Sequence, residues 1–410
     1  MDHATPARFL AAHEATAAVP FFPPLPPPAP ARDLWAARLR RQLPPPRAGL
    51  HISVIIPAKD EAGSLPATLA ALAAQVDITG RPLSPDFFEV IVLANNCQDA
   101  TAPVVRQLAR RFPRLVVHVA ELCLPTAHAH VGRARRLLMD EACARLEQVG
   151  RPGGIIASTD ADTRVALTWL AAIRAEIAAG ADAVGGRICT ETDAESLELQ
   201  RIQTRDTAYR LLCARLEHLL DPCAADPWPR HHQHFGASLA LTALAYRRVG
   251  GLPEVRFLED EALCQLLHRH DLKLRHSPQV QVLTSGRQEG RVEVGLSWQL
   301  RQWQQLSRQQ REPHVDNPVQ LARRWQLRRQ LRACRAGSPA AEPAALLTRL
   351  GLPDTAVLAQ LQQAATFGEL WEWVLQTAPS LRVDAVPLSE ALRVLPQLIR
   401  NSAAVQWRAV

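Results

Sequence analysis

Lysine is almost missing from this 410-residue chain: Lys59 and Lys273 are the only two, and arginine carries nearly all the positive charge. Arginine's planar fork suits phosphate recognition, but a bias spread along a whole chain more often reflects genomic composition. The net charge is +7, mild for the length, and no aromatic-rich basic stripe or helix-turn-helix signature supports nucleic-acid binding. No apolar run reaches the roughly 18 residues a bilayer crossing needs. A basic start followed by an apolar stretch is also missing, so the chain reads as a soluble, cytoplasmic protein without a secretory leader. The eight cysteines show no Cys-x-x-Cys spacing, which argues against a zinc ribbon or a disulfide framework and for reduced thiols. Gly-x-Gly-x-x-Gly, a Walker loop and a Gly-x-Ser-x-Gly elbow are all absent, and dehydrogenase, P-loop ATPase and serine hydrolase readings lose their main support.

What is present is ordinary globular material, 47% hydrophobic and 21% charged, which excludes a wholly disordered chain. Residues 1–50 are a proline-rich arm, with Pro20 to Pro30 and Pro44 to Pro46 favouring extended polyproline segments and Asp33 to Gln42 a short helix between them. From His51 the pattern changes. Strands at 51–56, 88–93, 115–119 and 154–158 alternate with helices at 64–74, 102–112, 132–148 and 165–179. That alternation predicts an α/β domain over 51–314, a Rossmann-like, mostly parallel sheet with helices on both faces. Further along, helices are expected at 196–220, 259–270 and 295–311, a loop at 221–235 and a hairpin at 272–284. Beyond 315 the strands vanish, and five helical segments make 315–410 an all-helical appendage.

Ligands in such sheets bind beyond the carboxyl ends of the strands. Here those ends carry Pro57 to Glu61, Ala94 to Thr101 and Thr159 to Thr163. Asp160-Ala-Asp162 sets two carboxylates on one side of an extended segment, where they can share a hard cation. Nineteen aspartates predict about one such pair by chance, so a solvated turn is an equal reading. Glu259-Asp260-Glu261 either complements the dipole of a helix start or supplies a general base, Asp260. Arg287 and Arg291 are either a phosphate clamp or solvated loop arginines. Arg133, Arg135 and Arg136 at a helix start permit anion binding or a solvated face. His231, His232 and His234 match no standard zinc spacing and read as a loop beside the substrate or simply exposed.

Taken in order, Ser53-Val-Ile-Ile-Pro-Ala-Lys-Asp-Glu61, Val90-Ile-Val-Leu-Ala-Asn-Asn-Cys-Gln-Asp-Ala-Thr101, Ser158-Thr-Asp-Ala-Asp162, Phe235-Gly-Ala-Ser-Leu-Ala240, Gly250-Gly-Leu-Pro-Glu254 and Glu259-Asp-Glu261 resemble the inverting family 2 glycosyltransferases of the GT-A fold. The resemblance spans residues 51 to 300. It implies a nucleoside-diphosphate sugar donor, a divalent cation (Mg²⁺ or Mn²⁺) on Asp160 and Asp162, and Asp260 as the base acting on an acceptor hydroxyl. Donor contacts are implied at Pro57, Asp60, Glu61, Asn96, Asp99, Arg133, Asp160, Arg287 and Arg291, and acceptor contacts at Gly236, Ser238 and Glu259. The chain departs from the family pattern at two places. Ala94-Asn95 stands where the family's second strand commonly ends in Asp-Asp, which leaves the nucleobase open. Gln299-Leu-Arg-Gln-Trp303 carries Gln302 where processive members have arginine, so a single sugar is expected to be added. A sugar nucleotidyltransferase and an inactive binding module are the competing readings.

Overall fold

A computed structural model of the chain describes residues 33–191, 197–287, 295–338 and 343–407. Most of the proline-rich arm, and Arg291 with it, therefore lie outside the described residues. The short helix α1 (Leu34–Arg41) forms with Asp33 as its cap, the carboxylate accepting from the backbone N–H groups of Trp35 and Ala36. It packs into the domain. Leu39 is fully buried in the main core, Arg40 pairs with Glu141, and Pro44 accepts from Arg145.

The β-branched runs become strands β1 (Ile52–Ala58) and β2 (Phe88–Asn95), and β3 (Val116–Leu122) and β4 (Ile155–Ser158) join them in parallel. Alternate side chains serve opposite faces, as a strand requires. Ile55, Ile91 and Leu93 enter one core with α1 and α4 (Val131–Gln148), while Val54, Ile56, Val90 and Val92 enter the other. That second core receives α2 (Leu65–Ala73), α3 (Thr101–Arg111) and α5 (Trp169–Ala178).

The sheet then changes character. Its eight strands run β3-β2-β1-β4-β7-β6-β8-β5, with β5 at Thr163–Val165, β6 at Ala183–Thr190, β7 at Leu239–Thr242 and β8 at Leu274–Thr284. Strand β7 is antiparallel to both neighbours, and β5 is antiparallel to β8. The hairpin expected over 272–284 is one long strand. Pro278 marks an irregularity in it, not a turn: the register against β6 shifts between Gly186 and Arg187 while pairing resumes at Gln281.

Helix α6 (Leu197–Leu220) crosses from the sheet to the C-terminal helices, and α7 (Ala243–Arg248), α8 (Glu259–Arg269) and α9 (Leu296–Arg308) complete the central part. The tail contains α10 (Pro318–Arg335), α11 (Pro343–Leu350), α12 (Asp354–Gln363), α13 (Phe367–Thr377) and α14 (Leu388–Trp407). Strands do not vanish there: β9 (His314–Asp316) pairs with β10 (Ala385–Pro387), too short for a periodic signal. Nor does the tail stand apart. Tyr209, Cys213 and Leu216 of α6 share a core with Trp325, Leu388 and Leu395. Arg328 bridges Glu217 and Asp221, and Asp271 after α8 caps α13 by accepting from Phe367 and Gly368 N–H groups. All eight cysteines are free thiols. Among the described residues, no helix is long and apolar enough to cross a membrane.

Candidate active site

The carboxyl ends of β1, β2 and β4 open into one crevice of about 1940 Å³. Pro57, Asp60, Glu61, Asn96, Asp160, Asp162, Gly236, Glu259, Asp260 and Arg287 all line it, so residues more than 200 positions apart in sequence meet there. Three of its edges hold left-handed backbone at residues other than glycine: Asp60, Asn96 and Leu258, with φ of 55°, 53° and 56°. Asp and Asn tolerate this conformation. Leucine does not, and such strain collects where geometry matters. Leu258 immediately precedes the acidic first turn of α8.

Two arginines organise the floor. Arg287, just past β8, grips both carboxylate oxygens of Glu61 at 3.0 and 2.5 Å and reaches Asp162 at 3.1 Å. Arg135, in the second turn of α4, is buried between Asp160, at 2.6 Å, and Glu259. Gly236 makes room for it, since a Cβ there would collide with the guanidinium. The same glycine's N–H donates to Asp260 Oδ2 at 2.7 Å, and the Glu261 N–H donates to Oδ1 at 2.8 Å. Asp260 is thus aimed by two backbone donors.

Five carboxylates (Glu61, Asp160, Asp162, Glu259 and Asp260) share this floor with those two guanidiniums. Burial and crowding together act on these carboxyls. Burial, reinforced by the charge of Asp160 and only partly offset by Arg287, pushes the Asp162 carboxyl up to about 6. Burial also raises Asp160, with Arg135 opposing and Asp260 adding. Glu259 rises to about 7 for the same first reason, with Arg135 opposing and Asp260 adding. A pair of crowded carboxylates of this kind fits a hard divalent cation, which takes oxygen ligands and relieves the excess charge.

Behind Asp260 lies a buried polar chain. Glu261 Oε2 meets His234 Nε2 at 2.7 Å, His234 Nδ1 meets His276 Nε2 at 3.2 Å, and His276 Nδ1 meets Asp226 Oδ2 at 2.8 Å. Arg230 and Arg275 hold the far end at Asp226. The loop histidines are therefore neither exposed nor grouped as a zinc site. His231 contacts the Ser277 carbonyl at 3.1 Å, and His234 props the helix that carries Asp260.

Three expected residues lie elsewhere. Asp99 is not on the crevice wall; it accepts from the Ala62 and Thr101 N–H groups and ties the loop after β1 to the start of α3. Asp60, Cys97 and Asp99 bring ligand-type atoms within 4.8 Å of one another, but Asp60 Oδ1 already accepts from Gln98 N–H at 2.6 Å and braces the same loops. Arg133 turns away to pair with Asp33 and Glu254. Ser238 is buried behind the wall, its hydroxyl accepting from the Trp169 indole at 3.0 Å. Arg135, not Arg133, lines the crevice. The sequence presents all three arginines of that helix start, and only the orientation of α4 distinguishes them.

Residues 53–226 match the family described as glycosyl transferase family 2. No curated protein matches the chain. Among solved structures, the chain is similar to the mannosyltransferase PcManGT from Pyrobaculum calidifontis in complex with GDP-Man and Mn²⁺, at 20% identity over 85% of this chain and 91% of that one, with a TM-score of 0.39. It is similar to S. aureus TarS 1–349 in complex with UDP-GlcNAc at 14% identity over 80% and 90%, TM-score 0.41. A third is glucosyl-3-phosphoglycerate synthase from Mycobacterium tuberculosis with Mn²⁺, UDP-glucose and phosphoglyceric acid, at 17% identity over 67% and 84%, TM-score 0.36. The matched residues run from β1 through α6 and hold Asp160 and Asp162, and the fold gathers them with Asp260 and Arg287 in one crevice at the edge of a mostly parallel α/β sheet.

Proposed function

We propose that the crevice binds a nucleoside-diphosphate sugar and passes one sugar to an acceptor hydroxyl with inversion at the anomeric carbon. The observation that carries this is the meeting of Asp160, Asp162 and Arg287 with a backbone-aimed Asp260 across a single cavity. Asp160 and Asp162 would hold a divalent cation, Mg²⁺ or Mn²⁺. When bound, that cation neutralises charge developing on the diphosphate leaving group. Asp260 accepts the proton of the acceptor hydroxyl, and the oxygen attacks the anomeric carbon opposite the departing nucleotide. The two N–H groups on Asp260 hold its carboxylate in place without consuming a side chain. Arg135 keeps Glu259 and Asp160 compatible as charged neighbours, and Arg287 does the same for Glu61 and Asp162. Pro57, Asp60 and Asn96 form the wall on the side expected to face the nucleoside. Gly236 and Glu259 border the acceptor side.

The test pairs stereochemistry with a variant. Proton NMR of the first product formed from an α-linked donor should show a β-linkage. Asp260→Asn should lower kcat by about 10²–10⁴-fold while donor affinity stays within about twofold, the pattern of a group acting mainly in the transition state. Retained configuration, or undiminished kcat in the variant, overturns the proposed role of Asp260.

A further inference from the structure

The crevice is larger than a donor needs. Ligand sites of small molecules run about 300–1,000 Å³, and this cavity of about 1940 Å³ continues past Asp260 between α6 and α9. The helix faces that line this second arm are unusual. Gln200 and Gln203 on α6 line the arm together with Gln299, Gln302 and Gln305 on α9 and Gln309 at its C-terminal cap. Spacings of three and four residues put each set on one side of its helix. An inward helix stripe is ordinarily apolar, and here glutamines share it with Leu211, Trp303 and Leu306.

A carboxamide donates and accepts at once, as a sugar hydroxyl does. Trp298 lies on the same side of α9 as Gln302 and Gln305, is only partly buried, and lines the arm as a flat surface among the amides. Of the charged residues lining the arm, Asp206 pairs with Arg210 at 2.6 Å, and Glu312 pairs with Arg205 of α6 at 3.5 Å. Arg187, Arg256 and Arg311, which also line the crevice, are exposed. A phosphate-bearing acceptor would ask for a buried basic cluster, and the arm offers amides instead.

We infer that the α6–α9 arm is an extended acceptor subsite for a neutral carbohydrate chain, read by glutamine amides and stacked on Trp298. The inference rests on the glycosyl-transfer reading above and adds the chemical class of the acceptor. It places the sugar end that receives the new residue at Asp260 and the rest of the chain along α9.

The test is direct binding to the full chain, by calorimetry or on an oligosaccharide array. The probes are neutral hexasaccharides of glucose, mannose and xylose, with phosphorylated forms of the same oligosaccharides alongside. UDP and GDP with Mn²⁺ are titrated in parallel. A neutral hexasaccharide should bind the wild type, and Trp298→Ala and Gln302→Leu should each weaken it about tenfold or more while nucleotide affinity stays within about twofold. Gln302 is partly exposed, so its variant keeps the test standing should Trp298→Ala misfold. Binding of phosphorylated oligosaccharides alone, no oligosaccharide binding beside intact nucleotide binding, or binding indifferent to both variants would overturn the inference. Loss of nucleotide binding with variant-sensitive oligosaccharide binding would overturn the donor reading and support this one.

Discussion

Arg287 grips Glu61 with two guanidinium nitrogens at 2.5 and 3.0 Å, joining the ends of β8 and β1 across the crevice floor. The same guanidinium reaches Asp162 at 3.1 Å, so one cation balances two carboxylates from the loops after β1 and β4. Glu61 is 6% exposed.

Arg287→Ala should therefore cost more than a surface pair. Breaking a buried pair costs about 3–5 kcal/mol. The 29% exposure of the arginine discounts this to about 1–2 kcal/mol. Adding Glu61→Gln removes the stranded charge and should restore part of the loss. Thermal melts of the two single variants and the double variant check this, and strictly additive losses would contradict the coupling.

Asp162 carries a pH signature. Its folded carboxyl titrates near 6, above the ordinary carboxylate value, so ionising it opposes folding. The penalty grows as pH rises from about 4 towards 6 and is constant above. Asp162→Asn should raise the melting temperature of the metal-free protein at pH 8 and leave it nearly unchanged at pH 4. A gain that is equal at both values would contradict the placement.

His234 has the opposite sign. The charge of Glu261 raises it, against the effect of burial, so its pairing with Glu261 stabilises fully below the ordinary histidine value near 6.5 and fades as pH climbs through the raised one. His234→Gln should destabilise more at pH 6 than at pH 9, measured by urea melts at both. It should also lower kcat more than it alters donor affinity, because it acts through the helix that carries Asp260.

The described end of the proline-rich arm packs into the domain. Leu39 is fully buried against α4, and Leu39→Ala should cost about 2–5 kcal/mol. Deleting residues 1–45 should lower the melting temperature sharply through the loss of Leu39 and Leu43, and an unchanged melting temperature would contradict the packing of α1.

Much of this site can be read from residue order because each motif ends a strand, and strand ends in a parallel sheet converge. Long apolar runs such as Ile52–Ala58 and Phe88–Asn95 declare themselves by β-branching and by the polar loops at their carboxyl ends. The strands that carry no such signal, Thr163–Val165, Leu239–Thr242, His314–Asp316 and Ala385–Pro387, span three or four residues, too few to establish an alternation. Pro278 imitates a turn, although proline is also tolerated at a strand irregularity. Arg135 and Arg133 are chemically identical in sequence and two positions apart; a rotation of about 200° around the helix sends one to Asp160 and the other to Asp33. The Glu261–His234–His276–Asp226 chain joins separate segments by contacts that no local pattern encodes.

The central claim is that Asp160 and Asp162 serve a nucleotide donor in this crevice. Calorimetric titration of UDP, GDP, dTDP and ADP, with and without Mn²⁺, into the wild type and Asp162→Ala tests it most directly. The account predicts that one nucleotide binds tightly in the presence of the cation and that the variant loses this dependence. Binding of no nucleotide under any condition, or equal cation-dependent affinity in the variant, would contradict it.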